Sequence, residues 1–111
     1  MRNREVVVLS GVRTAIGSFG KSLKDVPPTA LAAEVLKAAV ARAGLAPAQV
    51  EHVCFGQVIT TEARDLYLSR VAAIEAGCAD GTPAFNVNRL CGSGLQAVVS
   101  AAQSILLGDC K

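Results

Sequence analysis

The apolar positions begin as an unbroken, β-branched run. "EVVVLSG", residues 5–11, stops at Gly11 and predicts a short buried strand. "VRTAIGSFGKSLKDVPP" follows, polar, rich in glycine and closed by Pro27 and Pro28. A loop this long in a small domain points to function or to an interface. From Pro28 the pattern takes a helical period. Ala32, Val35, Leu36, Ala39 and Val40 fall on one side and Glu34, Lys37 and Arg42 on the other, which predicts a helix to about Arg42 lying on a sheet. The prolines suit its first turn, and Gly44 stands where a left-handed cap would close it.

"GLAPAQV" then leads into "EHVCFGQVIT", residues 51–60, a second predicted strand. A second helix is expected from about Asp65 to Ala76, stopping at "AGCADG", and "PAFNVN" supplies a third short strand. A last helix, from Gly92 to Leu107, carries no charge at all. Strands alternating with helices favour an α/β chain with a layered sheet and right-handed crossovers. The last helix lacks the charged face of the first, so it should be covered on all sides. The elements available are too few to cover it.

The 111 residues allow one domain and are too few for two. With 51% hydrophobic residues but only 4% aromatic and no tryptophan, Ala, Val and Leu must fill the core. Charge adds little. A net +2, with both signs scattered along the chain, is no nucleic-acid footprint. The uncharged stretch from Leu90 to Gly108 raises the question of a membrane span, but Gln96, Ser100, Gln103 and Ser104 recur along it and the expectation is no membrane. "MRNREVVVLSGVRT" has two early arginines and an apolar run too short for a secretion signal.

Four cysteines remain: Cys54, Cys78, Cys91 and Cys110. None forms a CxxC pair, and the single histidine, His52, completes no recognised zinc spacing, so no metal is expected. Free thiols in a reducing, cytoplasmic setting follow. Cys54, inside a strand, reads as a small buried packing residue. Cys78 and Cys110 lie near helix ends and look incidental. His52, at the entrance to a strand, reads as a solvated or satisfied polar group.

Cys91 differs because Gly92, Ser93 and Gly94 follow it at once. Three readings compete. Gly92, Gly94 and Ala97 fit a G-x-G-x-x-[GA] dinucleotide fingerprint, but Arg89, Leu90 and Cys91 separate them from the strand that should precede them directly. A buried cysteine beside glycines that allow close helix packing is the plainest account. The third is a nucleophile. A cysteine at the start of a helix meets unpaired N–H groups and the positive end of the helix dipole, both favouring the thiolate. Gly92 and Gly94 would clear space for an acyl group, and a backbone N–H would serve an oxyanion.

"NRLCGSGLQAV" resembles the active-site segment of thiolases, around their acyl-accepting cysteine. "VVVLSGVRTAIGSFGKSLKDVP", "AAEVLKAAVARAGLAPAQVEHVCFGQVI" and "SAAQSILLGD" resemble further parts of the same family, so the likeness covers nearly the whole chain. "TEARDLYLSRVAA" is most similar to bacterial β-ketothiolases. Near Leu66 and Tyr67 many relatives carry an Asn-Pro pair, and the departure leaves acyl chain length open. A ketoacyl synthase, another cysteine enzyme of this superfamily, fits the flanking residues less closely.

The resemblance implies an α-β-α-β-α layered fold, residues 1–111 being most of its first half, with a buried helix after the nucleophile. The coenzyme A loop domain, the catalytic histidine and a second cysteine would lie outside these residues. It implies that Cys91 accepts an acyl group from acyl-CoA, with its backbone N–H as an oxyanion donor, followed by Claisen condensation or, in reverse, thiolytic cleavage. Acetyl-CoA and coenzyme A would be substrates, with no cofactor. Family members are dimers or tetramers, so Asn86 to Asn88 are expected near a subunit contact. Arg89 receives no role. Alone, the 111 residues would be an inactive partial domain that self-associates or binds partners.

Overall fold

A computed structural model describes residues 3–111. Met1 and Arg2, the start of the segment read for a secretion signal, lie outside the described residues. The first regular element is α1, Pro28–Arg42. Pro28 fits its first position because the N–H that proline lacks would have no intrahelical partner there. At the other end Gly44 adopts φ +74°, and the Leu45 N–H reaches back to the Val40 carbonyl at 3.1 Å. The expected left-handed cap is present.

The strands β1, Val53–Gly56, and β2, Ala84–Val87, pair in parallel, with Val53 opposite Ala84 and Gly56 opposite Val87. Parallel neighbours need a crossover. A 3-10 turn, Ala63–Tyr67, and α2, Leu68–Glu75, supply it. The helix expected from Asp65 therefore becomes α-helical only at Leu68. Asp65 explains the delay. Fully buried, it accepts the Thr61 N–H at 2.8 Å, the Thr61 hydroxyl at 2.7 Å and the Glu62 N–H at 3.2 Å, all on Oδ2. These bonds pin the preceding turn. Chiefly the Thr61 hydroxyl, then the Thr61 amide, holds the carboxyl below its ordinary range against the opposing cost of burial.

Asn86 locks the crossover to the sheet. From β2 its Oδ1 accepts the Ser69 N–H at 2.9 Å, and its Nδ2 donates to the Asp65 and Leu66 carbonyls at 3.1 Å each. An orphan amide at the start of α2 is thereby satisfied. The side chain expected near a subunit contact spends its hydrogen bonds inside the chain.

Two small apolar clusters form the core. Ala32 of α1 meets Leu68 and Ala72 of α2, with Leu36 and Phe55 against them. Val53, Ala73 and Cys78 form the other, beneath Val50 and Ala84. Alanine at the facing positions brings α1 and α2 close together, as a core without large aromatics requires.

The last helix, α3, spans Ser93–Leu107 and ends at Gly108, φ +88°. It lies on β1 and β2, and only Ser93 and Ala97 are buried within it. The expected cover is not supplied by the described residues. The 18 residues Leu90–Leu107 have a mean hydropathy of 1.4 and pass a membrane-span test on composition. At 1.5 Å per residue, however, α3 is about 22 Å long, short of the roughly 30 Å hydrocarbon core.

The predicted first strand does not form a ladder. Residues 3–18 carry no strand assignment, and Val8 is 85% exposed. The segment is tied instead to α1: the Ser10 hydroxyl donates to the Ala39 carbonyl at 2.8 Å, and Arg42 donates to the Gly11 carbonyl at 2.7 Å. A cavity of about 580 Å³, lined by Val6, Val8, Cys54, Phe55, Gly94 and Ala97 among others, lies between it, β1 and α3. β1 pairs only with β2 among the described residues.

Candidate active site at the head of the last helix

Four side chains were singled out as thiols, and the fold separates them. Cys78 is buried in the core beside Val53 and Ala73, so it is a packing residue and not an incidental one. Cys110 is buried as well. Cys54, expected to be buried, is only half-buried and lines the large cavity. The reversal has a plain cause. Cys54 faces the side on which residues 6–8 stand off, whereas Cys78 lies under the returning loop that the Cys78 N–H anchors to the Ala73 carbonyl at 3.0 Å. Burial pushes all three of these thiols up, and Glu51 and Asp109 add to the effect at Cys110.

Cys91 is the exposed one. It follows the C-terminal end of β2, the end at which open α/β sheets bind ligands. His52 precedes β1, and since the strands run in parallel it sits at the opposite end of the sheet. Its ring packs on Phe85 with centroids 5.3 Å apart. His52 therefore takes no part at Cys91.

Gly92 is the N-cap of α3, so Cys91 stands one residue before the cap, slightly outside the first turn expected for it. Leu90 makes the approach unusual. Its φ of +47° is left-handed without being glycine, a conformation that costs roughly 1–3 kcal/mol and persists only where neighbours enforce it. The neighbours are identifiable. Asn88 Oδ1 accepts the Leu90 N–H at 3.0 Å, and the Leu90 carbonyl accepts the Ser93 hydroxyl at 2.6 Å and the Ser93 N–H at 3.1 Å. The Ser93 oxygen in turn accepts the Arg89 N–H at 2.8 Å. Arg89 also has a side-chain partner, the Gln96 Oε1 at 3.0 Å. Gln96 continues to the Ser100 hydroxyl at 3.2 Å, so two of the polar residues noticed along the last helix are linked to Arg89.

The Gly92 N–H donates to the Arg89 carbonyl at 3.0 Å, which leaves both it and the Ser93 N–H occupied. A phosphate cradle needs such groups free. The dinucleotide reading of Gly92 and Gly94 gains no support from this geometry. The Cys91 N–H, by contrast, donates to no acceptor among the described residues.

The two glycines behave alike. Gly92 has ordinary backbone angles, φ −90° and ψ 5°, and a Cβ there would make only a 3.5 Å contact with the Arg89 carbonyl. A Cβ on Gly94 would meet nothing within 4 Å. Neither is demanded by packing inside this chain, and open space adjoins Gly94. The glycine that packing does demand is Gly56. A Cβ on it would lie 2.7 Å from the Ser93 carbonyl carbon and 2.8 Å from the Gly94 nitrogen. β1 thus presses its backbone under the first turn of α3. Ser93 and Gly56 are the residues sequence reasoning missed. A glycine ending the strand in "VCFGQV" was the available signal for the second.

A parallel pair with helices around it, and a cysteine turn at the strands' C-terminal end, define an α/β domain. Residues 6–111 match the family described as thiolase, N-terminal domain, and the chain belongs to that family. It is 65% identical over 106 residues to the β-ketothiolase BktB of Cupriavidus necator, covering 96% of this chain and 27% of that protein. To an acetyl-CoA acetyltransferase of the same organism it is 47% identical over 107 residues, again covering 96% and 27%. Among solved structures it matches human mitochondrial 3-ketoacyl-CoA thiolase in complex with CoA, with a TM-score of 0.91 at 35% identity over 94% of this chain and 26% of that one. The acetyl-CoA acetyltransferase of Bacillus anthracis gives 0.88 at 40%, over 95% and 26%. The fold is α/β and thiolase-like. The chain spans about a quarter of the length of the relatives it matches.

Proposed function

We propose that this chain is the nucleophile-bearing N-terminal part of a thiolase, an acyltransferase that forms an acyl-cysteine on Cys91. The observation that carries the reading is the exposed thiol of Cys91, presented at the head of α3 on the left-handed turn at Leu90. The Cys91 thiolate attacks the carbonyl carbon of an acyl-CoA. A carbon–sulfur bond to Cys91 forms, and the carbonyl oxygen takes the negative charge next to the unengaged Cys91 N–H. When that intermediate collapses, the carbon–sulfur bond to coenzyme A breaks. Coenzyme A leaves as a thiolate and takes up the proton that Cys91 gave up. In the second half, a Claisen condensation, the α-carbon of an acetyl-CoA gives up a proton and attacks the acyl carbonyl. A carbon–carbon bond forms, the carbon–sulfur bond to Cys91 breaks, and the Cys91 thiolate leaves and recovers a proton. Thiolytic cleavage is the reverse.

Gly92 and Gly94 would clear the approach: a Cβ on Gly94 meets nothing within 4 Å, and one on Gly92 only the Arg89 carbonyl at 3.5 Å. Coenzyme A thioesters are substrates, and no cofactor is needed. The acid–base groups of the second half-reaction, with the loop domain that holds coenzyme A, belong to the remaining three-quarters of a thiolase's length. Residues 1–111 are its first-half domain. Assembly into a homodimer or homotetramer and a cytoplasmic location complete the reading. Rat and mouse relatives named as cytosolic acetyl-CoA acetyltransferases, 44% and 43% identical, are in keeping with that location.

The test uses the full-length protein given acetyl-CoA alone. The first half-reaction needs no second substrate, so rapid acid quenching should trap one acetyl group on the peptide holding residues 88–96. Cys91→Ala should abolish the adduct and Cys91→Ser nearly all turnover. An adduct that survives Cys91→Ala would refute the reading.

A further inference from the structure

The turn that presents Cys91 depends on a residue with no part in the chemistry assigned so far. Leu90 must hold φ +47°, where its side chain crowds its own backbone, and Cys91 is the next residue. Whatever fixes Leu90 therefore fixes the direction in which Cys91 leaves the turn. Four polar groups of this backbone stretch are engaged: the Arg89 N–H and carbonyl and the Leu90 N–H and carbonyl. Ser93 engages two of the four through one hydroxyl, accepting at 2.8 Å and donating at 2.6 Å. The Asn88 side chain accepts the Leu90 N–H, and the Gly92 N–H donates to the Arg89 carbonyl.

The two holders are not equal. Asn88 is exposed, so water competes for its bond and can replace it. Ser93 is 4% exposed, and water cannot substitute for its hydroxyl. Its place is also fixed from below, because Gly56 lets β1 come so close that a Cβ there would lie 3.0 Å from the Ser93 Cβ. Strand, serine and strained turn form one stack under Cys91.

We propose that Ser93 is a positioning residue for the acyl transfer: its buried hydroxyl, seated on Gly56, clamps Leu90 in the left-handed conformation and so aims the Cys91 thiol. The proposal rests on Cys91 being the acyl acceptor. Without the clamp, Leu90 relaxes toward an ordinary conformation and the thiol swings away from the line of attack on a bound thioester. Misplacement of a reacting group by about 1 Å costs on the order of 10²-fold in rate. Binding of the acyl-CoA itself is untouched.

The experiment measures, in the full-length protein, the rate of Cys91 acetylation by acetyl-CoA beside the rate of its alkylation by iodoacetamide. Ser93→Ala should lower acetylation and kcat by about 10²-fold while KM for acetyl-CoA stays within about twofold. Alkylation by the small reagent, which needs no fixed line of approach, should change far less. Adding Leu90→Gly to Ser93→Ala should recover part of the acetylation, because glycine adopts this φ without strain. A serine that merely stabilised the helix would show no such recovery. Equal losses in the two rates, or no recovery with Leu90→Gly, overturn the proposal. Should Ser93→Ala fail to fold, Asn88→Ala removes the other holder and should slow acetylation by about threefold, again more than alkylation. An unchanged acetylation rate there overturns the proposal as well. Cys91→Ala separates the two claims. If it loses the adduct while Ser93→Ala keeps full kcat, only the positioning role falls. If it keeps the adduct, the assignment of the nucleophile falls.

Discussion

Helices α1 and α3 are each 15 residues long, and the chain treats them in opposite ways. α1 keeps Glu34 and Lys37 in water and buries Thr29, Ala32, Ala33 and Val40, with Ala32 against Leu68 and Ala72 of α2. α3 has no charged residue to show, yet Leu95 is 73% exposed and Leu106 and Leu107 are exposed too. The first helix is finished inside these residues and the second is not. Apolar surface left open on this scale marks a face that something else covers. The relatives are about four times this length, and under the proposed function the further part of such a protein would be the cover. Cys91 sits at the head of the uncovered helix, so the proposed chemistry lies beside that open face.

The contrast can be attacked at its stronger side first. Leu68 fills the seam between α1 and α2, and Leu68→Ala should cost about 2–5 kcal/mol by deleting buried methyl groups and leaving a cavity. Chemical denaturation of the full-length protein measures it, and a loss below about 1 kcal/mol would mean that this seam is not a core.

Thiol reactivity compares the two regions directly. Iodoacetamide at neutral pH should modify Cys91 well before Cys54, with Cys78 and Cys110 last, because burial holds those three thiols up and so depletes their thiolate. Peptide mapping against time gives the order. Cys54 or Cys78 reacting first would contradict it.

Asp65 supplies a pH test of the finished region. Its carboxyl is held below the ordinary value, so the folded state binds that proton less readily than the unfolded chain. The resulting stability is fully present above the ordinary aspartate range near about pH 4 and is lost as pH falls through the lowered folded value. Asp65→Asn should flatten the acid limb of a stability–pH curve below about pH 4. An unchanged limb would show that the Thr61 bonds contribute nothing.

The smallest effect is expected at the open face. In the 111 residues alone, Leu95→Ser should shift stability by no more than about 0.5 kcal/mol, since the side chain is already in water. The same change should reduce the self-association expected of the isolated chain, as read by light scattering. In the full-length protein the substitution should cost about 1.5–3 kcal/mol, the value of burying a leucine. Equal costs in both settings would mean that nothing covers α3.

Local chemistry made much of this legible from the residues. Periodicity located α1 closely, the prolines and Gly44 bounded it, and the strand cores around Val53 and Phe85 were evident because such signals act within a few positions. The motif around Cys91 pointed to the family. What escaped were relations between distant residues. Cys54 is less buried than expected and Cys78, read as incidental, is in the core, because exposure depends on which segment arrives opposite. Asn86 was expected near a subunit contact, and its bonds to the start of α2 became visible only when that helix arrived beside it. The first strand had the right composition, but a strand is completed by its neighbour's hydrogen bonds, and within these residues none comes near enough. Ser93 and Gly56 are separated by 37 positions, and no periodicity links them; only the packing of α3 on β1 makes one the seat of the other. The sequence by itself determined most of the elements and singled out Cys91, since propensity and helix-end chemistry are written locally. Tertiary structure alone decided the setting of the turn before it, because Ser93 gains its seat only once Gly56 of β1 has come up beneath the last helix.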